Sequence, residues 1–129
     1  MRVYTSSRIF LFLFLLLQGA ITVQAQEPAL PIKNVHQVSE TLYRSGQPRR
    51  KGFKALEAAG FTDVINLRTI WGDRCRSGKA KIQLHHIHVV TTRMSEEDLV
   101  AIFRQIERSQ GKVLVHCWHG SDRTGTVVA

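Results

Sequence analysis

The feature that most constrains the fold is a cysteine and an arginine separated by five residues near the end of the chain, Cys117 and Arg123. An apolar run, Val113 to Val115, precedes the cysteine, and Gly120 lies between the two residues. Such a loop, hereafter the C-x5-R loop (residues 117–123), can turn its backbone N–H groups inward, and a helix that begins near Arg123 would aim its positive N-terminal end at the same point. The pattern therefore predicts a strand, an anion-binding loop and a helix, arranged to receive an oxyanion of phosphate size.

Cys117 is the candidate nucleophile of this loop. Inward N–H groups, a helix N-terminus and the charge of Arg123 all favour the thiolate, and such surroundings lower a cysteine pKa from ~8.5 to roughly 3.5–7.5. The planar guanidinium of Arg123 can hold two phosphate oxygens, and the hydroxyl of Thr124 can donate a hydrogen bond to the sulfur. The alternative is an inert buried cysteine, because the spacing alone arises by chance in many proteins.

The sequence HCWHGSDRTG resembles the signature of the cysteine-dependent protein tyrosine and dual-specificity phosphatases. The upstream segments LYRSGQP, DVINLR and LHHIHV resemble the small atypical dual-specificity branch of fungi, plants and bacteria. This resemblance implies that Cys117 forms a phosphocysteine that is hydrolysed in a second step, that His116 orients or tunes the cysteine, and that no metal ion or other cofactor takes part. The expected substrate-binding residues are Trp118, His119, Gly120, Ser121 and Arg123.

The general acid that protonates the leaving group has more than one candidate. In many relatives an aspartate supplies this proton from the loop after the strand that matches residues 82–90, but residues 91–94 here contain no acid. We favour Asp122, because some bacterial tyrosine phosphatases that the loop resembles use an aspartate there. The alternatives are that one of the acids at residues 96–98 supplies the proton, or that no protein acid does. If Asp122 is not the acid, its expected role is to brace Arg123 or a backbone N–H of the loop.

The expected substrate is phosphotyrosine or phosphoserine/threonine in protein. Trp118 and His119 stand at the mouth of the loop, where lysine or arginine would be expected for a polyphosphorylated ligand. These two residues therefore favour a phosphoprotein, and a phosphoinositide or inositol phosphate is the alternative substrate. Two other functions stay open: a phosphate-binding module without turnover, and a sulfurtransferase, against which the spacing to Arg123 and the RTG that follows argue.

Residues 1–25 have the pattern of a secretory signal peptide. Two arginines precede nine apolar residues, Ile9 to Leu17, and Val23-Gln24-Ala25 provides small residues at the cleavage positions. The apolar run is shorter than the ~20 residues of a spanning helix. We predict cleavage after Ala25, a secreted or periplasmic protein and no stable membrane insertion; an uncleaved anchor is the alternative.

The chain is basic, with 18 Lys and Arg against 10 Asp and Glu and a net charge of +8. Removal of residues 1–25, which carry two arginines and no acid, leaves +6. This excess suits an anionic substrate, whereas the basic residues are scattered and accompanied by no aromatic stacking pattern or helix-turn-helix, which argues against nucleic acid. The two cysteines, Cys75 and Cys117, provide no disulfide framework. Cys75 is either a free thiol or a reversible partner that protects Cys117.

Hydrophobic spacing predicts an α/β domain over residues 35–129, after an extended tail at 26–34, with a central, mostly parallel sheet flanked by helices. The predicted elements, in chain order, are a hairpin at 35–38 and 42–44, a helix around Phe53, Leu56 and Ala59 that ends at Gly60, a strand at 63–67, a loop at 68–81, a strand at 82–90 and a helix after Ser95. The basic triplet Arg49-Arg50-Lys51 indicates a solvated helix start, or else a patch that attracts substrate.

Two of these elements carry further predictions. In the helix after Ser95, Asp98 is expected to complete a capping box, and the residues predicted to be buried are Leu99, Ile102, Phe103 and Ile106. The strand at 82–90 contains His85, His86 and His88, which raise the alternative of a metal site. We favour hydrogen-bonded strand histidines, because no carboxylate or cysteine stands near them in the sequence.

The family resemblance also implies further helices after the C-x5-R loop, which would cover one face of the sheet. We therefore expect the chain to be incomplete at its C-terminus. On this interpretation the 129 residues are marginally stable or inactive by themselves, and the complete gene product is the enzyme.

Overall fold

A five-stranded sheet forms the centre of the computed structural model, which describes residues 29–90 and 92–129. Its strands are β1 (His36–Gln37), β2 (Leu42–Ser45), β3 (Phe61–Asn66), β4 (Gln83–His86) and β5 (Lys112–His116). They lie in the order β1-β2-β5-β3-β4. β1 and β2 are antiparallel and the other three pairs are parallel. The mostly parallel α/β sheet and the early hairpin are confirmed, and the signal peptide predicted at residues 1–25 lies outside the described residues.

The described part of the chain also forms four helices: α1 (Arg50–Ala58), α2 (Arg74–Ser77), α3 (Glu96–Arg108) and α4 (Asp122–Val128). Helix α1 ends as predicted, because Gly60 adopts a φ of 80° that only glycine tolerates easily. Helix α3 begins with the predicted capping box, in which the Ser95 side chain and the Asp98 side chain each accept the other's backbone N–H. Within residues 29–90 and 92–129, no helix has the length and apolarity to cross a membrane.

The two faces of the sheet bury separate apolar clusters, because side chains alternate along each strand. On one face, Val113 and Val115 of β5 pack with Ile102 of α3 and Val127 of α4. On the other face, Leu114 of β5 packs in the cluster that contains Phe53 and Leu56 of α1. This alternation separates the residues at the end of β5: Cys117 belongs to the first cluster, and the preceding His116 points to the opposite face.

The predicted strand at 82–90 is wrong in length, because only residues 83–86 pair with β3. β3 ends at Asn66, so the residues that follow β4 have no strand beside them. They contact the chain after β3 instead: His88 Nδ1 lies 2.7 Å from the Thr69 carbonyl, and the Thr69 hydroxyl donates to the Val89 carbonyl.

Two smaller predictions also need correction. The segment 68–81, predicted to be a loop, contains α2, because the Asp73 carbonyl accepts the N–H groups of Arg76 and Ser77. In α3, Phe103 is predicted to lie in the buried stripe but is 46% exposed. Ile102 is buried, and Phe103 lies about 100° further round the helix, at the edge of the apolar stripe.

The parallel strands end in a row of polar residues, which positions the candidate site. Ser45 of β2, His116 of β5 and Asn66 of β3 are paired across the sheet, and His86 of β4 is paired with Asn66. The C-x5-R loop follows His116 directly. It therefore begins at the carboxyl edge of the parallel strands, where ligands bind in open α/β sheets.

Candidate active site

The C-x5-R loop turns at Gly120, where φ is 83°. A Cβ at this position would lie 2.4 Å from the backbone of Ser45 and Gly46, so no other residue fits without movement of the chain. The Arg44 side chain donates a hydrogen bond to the Gly120 carbonyl (2.9 Å), and the Gln47 N–H donates to the Trp118 carbonyl (3.2 Å). β2 and the turn after it thus hold these two loop carbonyls on the outside of the loop. The Gly120 N–H points inward, to Cys117 Sγ.

The sulfur of Cys117 lies at the bottom of this loop, and the residue is 2% exposed. The Gly120 N–H donates to Sγ at 3.2 Å, and the Thr124 hydroxyl lies 3.8 Å from it. Burial by itself raises the pKa of the thiol, but hydrogen bonds from the N–H groups of Thr124, Gly120 and His119 and from the Thr124 hydroxyl outweigh burial, so the pKa of Cys117 is lowered. The arrangement therefore stabilises a thiolate.

Arg123, at the other end of the loop, is fixed by the chain after β3. Its Nη1 donates to the carbonyls of Leu67 (3.0 Å) and Val89 (3.3 Å). Its Nε is buried and has no hydrogen-bond partner among the described residues. A buried N–H of a charged guanidinium is costly without an acceptor. An oxyanion bound in the loop would supply that acceptor.

Behind Cys117, the side chain of His116 is fully buried and lies 2.5 Å from Asp73, measured from Nε2 to Oδ2. Its Nδ1 lies 3.3 Å from the Cys117 carbonyl. Burial by itself raises the pKa of Asp73, but hydrogen bonds from His116 and Gln47 and the charges of His116 and Arg76 outweigh burial, so the pKa of Asp73 is lowered. Asp73 is therefore a carboxylate that fixes the ring of the residue before the cysteine.

Gln47 connects this pair to the mouth of the loop. Its side-chain NH2 donates to Asp73 Oδ1 (2.7 Å), and its side-chain oxygen accepts from Arg68 (2.8 Å). The Arg68 guanidinium lies 4.4 Å from the centre of the Trp118 ring. Burial, then the positive charges of Arg76 and Arg123, lower the pKa of Arg68, and the charge of Asp73 opposes them. Arginine keeps its charge under such conditions, so positive potential is concentrated beside the loop.

A cavity of about 260 Å³ opens at this point. Its lining residues are Arg68, Thr69, Ile70, Trp71, Trp118 and Arg123. Trp118 is 51% exposed and Trp71 is 63% exposed, so aromatic surface borders the entrance. The cavity combines cations at its base with aromatic rings at its rim, which suits a phosphate group on an aromatic or apolar carrier.

The predicted site residues occupy different positions around the cysteine. Cys117 and Thr124 are buried at the base of the loop, His116 is buried on the other side of the sheet against Asp73, and Trp118 and Arg123 line the cavity. His119, Ser121 and Asp122 are exposed, and the Ser121 hydroxyl donates to Asp122 (3.3 Å). Of the other candidate acids, Asp98 is engaged in the capping box. Cys75 is an exposed free thiol on α2, and Cys117 is also unpaired.

The three strand histidines each contact an oxygen of the protein. His85 Nε2 lies 2.7 Å from Asp63, His86 Nε2 lies 2.7 Å from the Arg68 carbonyl, and His88 contacts the Thr69 carbonyl. The rings of His86 and His88 stack at 4.0 Å. Among the described residues, no group of three or more potential ligands is arranged to hold a metal ion.

Sequence reasoning missed Asp73, Gln47 and Arg68 as parts of the site. One signal was available: Asp73 is the only acid in the otherwise basic segment 68–81. A lone carboxylate among five cations has many possible partners, however, and nothing in the spacing connects it with His116. Gln47 lies within the LYRSGQP segment, whose local pattern indicates only a turn.

The amino-acid sequence of this chain is similar to those of known phosphatases. Residues 29–129 match the family described as DSP-PTPase phosphatase fused to NAD+ kinase. The dual specificity protein phosphatase TpbA of Pseudomonas aeruginosa (strain UCBPP-PA14) is 29% identical over 108 residues, which are 82% of this chain and 48% of TpbA. The chain thus spans about half the length of this curated relative.

Solved structures agree with this match. The crystal structure of a Cys-to-Ser variant of P. aeruginosa TpbA in complex with phosphotyrosine has a TM-score of 0.69 at 27% identity, and covers 79% of this chain and 63% of that one. The core catalytic domain of the PP-IP phosphatase SIW14 from S. cerevisiae has a TM-score of 0.66 at 20% identity, over 78% of this chain and 65% of that one. The SIW14 comparison shows the shared fold.

Proposed function

The chain belongs to the family described as DSP-PTPase phosphatase fused to NAD+ kinase, and from this premise we propose that the protein hydrolyses phosphomonoesters through a phosphocysteine at Cys117. One observation carries the proposal. The sulfur accepts the Gly120 N–H at 3.2 Å in the same loop that holds the buried, unpartnered Nε of Arg123. A nucleophile and a phosphate-binding cation therefore belong to one small anion site.

The proposed reaction has two displacement steps. In the first, the Cys117 thiolate attacks phosphorus, an S–P bond forms, and the P–O bond to the alcohol or phenol breaks. Arg123 and the loop N–H groups stabilise the negative charge on the phosphoryl oxygens. In the second, water attacks phosphorus and gives a proton to the carboxylate that protonated the leaving group, phosphate leaves, and the electron pair of the S–P bond returns to sulfur, where the Thr124 hydroxyl donates a hydrogen bond.

Asp122 is the proposed general acid for the first step. It lies in the first turn of α4, one residue before Arg123, and its side chain is exposed to solvent on the loop that holds Cys117. General acids contribute roughly 10²–10⁴-fold to such steps. Asp122→Asn should lower kcat much more on phosphotyrosine peptide than on p-nitrophenyl phosphate, whose leaving group needs little protonation. Equal losses on the two substrates would remove Asp122 from this role and leave the acids at residues 96–98 or no protein acid.

The proposed substrates are phosphotyrosine and phosphoserine/threonine in protein. TpbA is named a dual specificity protein phosphatase and has been crystallised with phosphotyrosine. The aromatic rim of the 260 Å³ cavity here supports a ring-bearing substrate. Phosphoinositides and inositol phosphates are the alternative, and their turnover beside that of phosphopeptides decides between the two classes.

The central test measures phosphate release by the complete protein. Wild type and Cys75→Ser should release phosphate from p-nitrophenyl phosphate and phosphopeptide at similar rates, whereas Cys117→Ser should have no turnover and should retain bound phosphopeptide. Cys75→Ser is the matched control because it removes the other thiol. Binding without release by wild type would indicate a phosphate-binding module, and thiosulfate turnover would indicate a sulfurtransferase.

We also propose that the protein is exported, on the pattern of residues 1–25. Mass spectrometry of the protein recovered from the periplasm or the medium should find Gln26 as its first residue. Recovery with residues 1–25 attached, in the membrane fraction, would favour the uncleaved anchor.

A further inference from the structure

A second cavity, of about 620 Å³, lies beside the C-x5-R loop and is lined by three cations from three separate segments. Lys33 precedes β1, Arg49 is the N-cap of α1, and Arg76 belongs to α2. Among the described residues, no carboxylate lines this cavity. None of the three cations forms a salt bridge with any residue in the described part of the chain. The cavity therefore presents net positive charge to a ligand.

The wall of this basic cavity is fixed to the C-x5-R loop. The Gly46 N–H donates to the Lys33 carbonyl (2.9 Å), and the Asn34 side-chain NH2 donates to the His119 carbonyl (2.8 Å). Trp118 lines both the basic cavity and the 260 Å³ cavity that contains Arg123. Gln47 of the basic cavity also accepts a hydrogen bond from Arg68, which lines the 260 Å³ cavity, so the two cavities adjoin at Trp118 and at the Gln47–Arg68 contact.

The other lining residues indicate what kind of anion fits. Pro31, Ile32 and Trp118 contribute apolar surface, and Gln47 contributes an amide. A peptide presents apolar, amide and acidic groups in turn and so matches all of these lining groups, whereas a compact polyanion would leave the apolar ones without a partner. The volume also exceeds that of the cavity at Arg123, as an extended ligand requires.

We propose that the basic cavity binds an acidic side chain of a phosphopeptide substrate, a few residues from the phosphorylated residue. This inference rests on the proposed phosphatase function and assigns a sequence preference to it. The acidic group is a carboxylate or a second phosphate, since both would be attracted by Lys33, Arg49 and Arg76. Arg49, the first residue of the basic triplet, is then a substrate contact as well as the N-cap of α1.

The test compares phosphotyrosine peptides that differ only in one neighbouring residue: glutamine, glutamate or phosphoserine, placed at each position from −3 to +3. The variants are Lys33→Ala/Arg49→Ala and a control, Lys54→Ala, whose side chain lines a separate basic cavity that also contains Glu57. Arg76 is left intact because its charge also acts on Asp73. In all of them, p-nitrophenyl phosphate reports turnover without a peptide.

We expect wild type and Lys54→Ala to have a KM about fivefold lower for the best acidic peptide than for its glutamine counterpart, a preference that weakens with salt. Lys33→Ala/Arg49→Ala should lose this preference while its kcat and KM for p-nitrophenyl phosphate stay unchanged. Turnover with equal KM for acidic and neutral peptides would overturn the inference and leave the phosphatase function standing.

Binding to Cys117→Ser separates the two proposals. If wild type releases no phosphate from any substrate, the proposed function fails, and the affinities of Cys117→Ser for the same peptides still decide the inference. Tighter binding of acidic peptides that Lys33→Ala/Arg49→Ala abolishes would support it. Equal affinities, or binding of none of the peptides, would contradict it.

Discussion

Two histidine–aspartate pairs in this molecule have the same chemistry and different surroundings. His116 and Asp73 lie 2.5 Å apart with side chains 0% and 2% exposed, whereas His85 and Asp63 lie 2.7 Å apart with side chains 23% and 5% exposed. The first pair connects the segment after β3 to the residue before Cys117. The second connects β4 to β3, and Gln105 of α3 lies 3.2 Å from His85.

The difference in burial and position gives the pairs different roles. Water cannot replace a partner of His116, so loss of Asp73 leaves a buried polar ring unsatisfied directly behind the candidate nucleophile. Water can reach His85, and the second partner of Asp63 is the Thr62 hydroxyl, which can either donate or accept, so an asparagine at position 63 leaves neither contact without a partner. We therefore assign His116–Asp73 to the position of the cysteine and His85–Asp63 to the attachment of an edge strand.

The largest expected effect is on catalysis by Asp73→Asn. The two carboxylate oxygens of Asp73 accept hydrogen bonds from His116 and from Gln47. An asparagine has only one acceptor oxygen, so its NH2 group would face one of these two N–H donors. An unsatisfied buried group costs about 1–3 kcal/mol, so we expect kcat/KM to fall about tenfold to a hundredfold. The measurement is kcat/KM for p-nitrophenyl phosphate, with denaturant unfolding to show that the variant is folded.

Asp63→Asn is the matched control for that substitution. It changes the same atoms in the more exposed pair, and kcat/KM should stay within about twofold of wild type while the free energy of unfolding falls by about 1 kcal/mol or less. Similar losses of activity in the two variants would mean that the pairs do not differ in role.

The next effect is a pH dependence of stability. The pKa of Asp73 in the folded protein lies below its ordinary value of 3.8. Its carboxylate therefore stabilises the fold fully above that value, and the contribution is lost as the pH falls through the lower folded pKa. The difference in unfolding free energy between wild type and Asp73→Asn should be largest near neutral pH and shrink below pH 3.8.

Urea unfolding of both proteins over this pH range provides the measurement, with Asp63→Asn as a reference for general acid effects. A difference that stays constant, or grows toward acid, would show that Asp73 does not stabilise the fold through its charge.

The smallest expected effect concerns Gln105, which lies beside the His85–Asp63 pair. Gln105→Ala removes its contact with His85 and leaves Asp63 in place. We expect stability to fall by about 0.5–1 kcal/mol and kcat/KM to be unchanged, as measured by urea unfolding and p-nitrophenyl phosphate turnover. A loss of activity would connect α3 to the site and weaken the division between the pairs.

The two pairs also mark what the sequence allows one to predict. The spacing of Cys117 and Arg123 is local, so it is sufficient to predict the strand, loop and helix around them. Short apolar runs likewise predict β3 and β5, and helical spacing predicts α3. Asp73 and His116 are 43 residues apart, and no periodic signal connects them, because their contact depends on how the segment after β3 folds back over the sheet edge.

The errors have the same origin. The strand predicted at 82–90 stops at His86 because its neighbour β3 stops at Asn66, which alternation within one segment cannot reveal. Phe103 satisfies helical spacing, but the burial of a stripe-edge residue depends on what packs beside it. Long-range pairing, rather than local propensity, decides both.

The most direct measurement is the rate at which iodoacetate alkylates Cys117 across pH, in a Cys75→Ser background and with or without vanadate. We predict half-maximal reactivity below the ordinary cysteine pKa of ~8.5, a rise of this midpoint in Thr124→Val, and protection by vanadate that Arg123→Ala abolishes. A midpoint at or above ~8.5, together with no protection by vanadate, would contradict a thiolate and a guanidinium in one anion site.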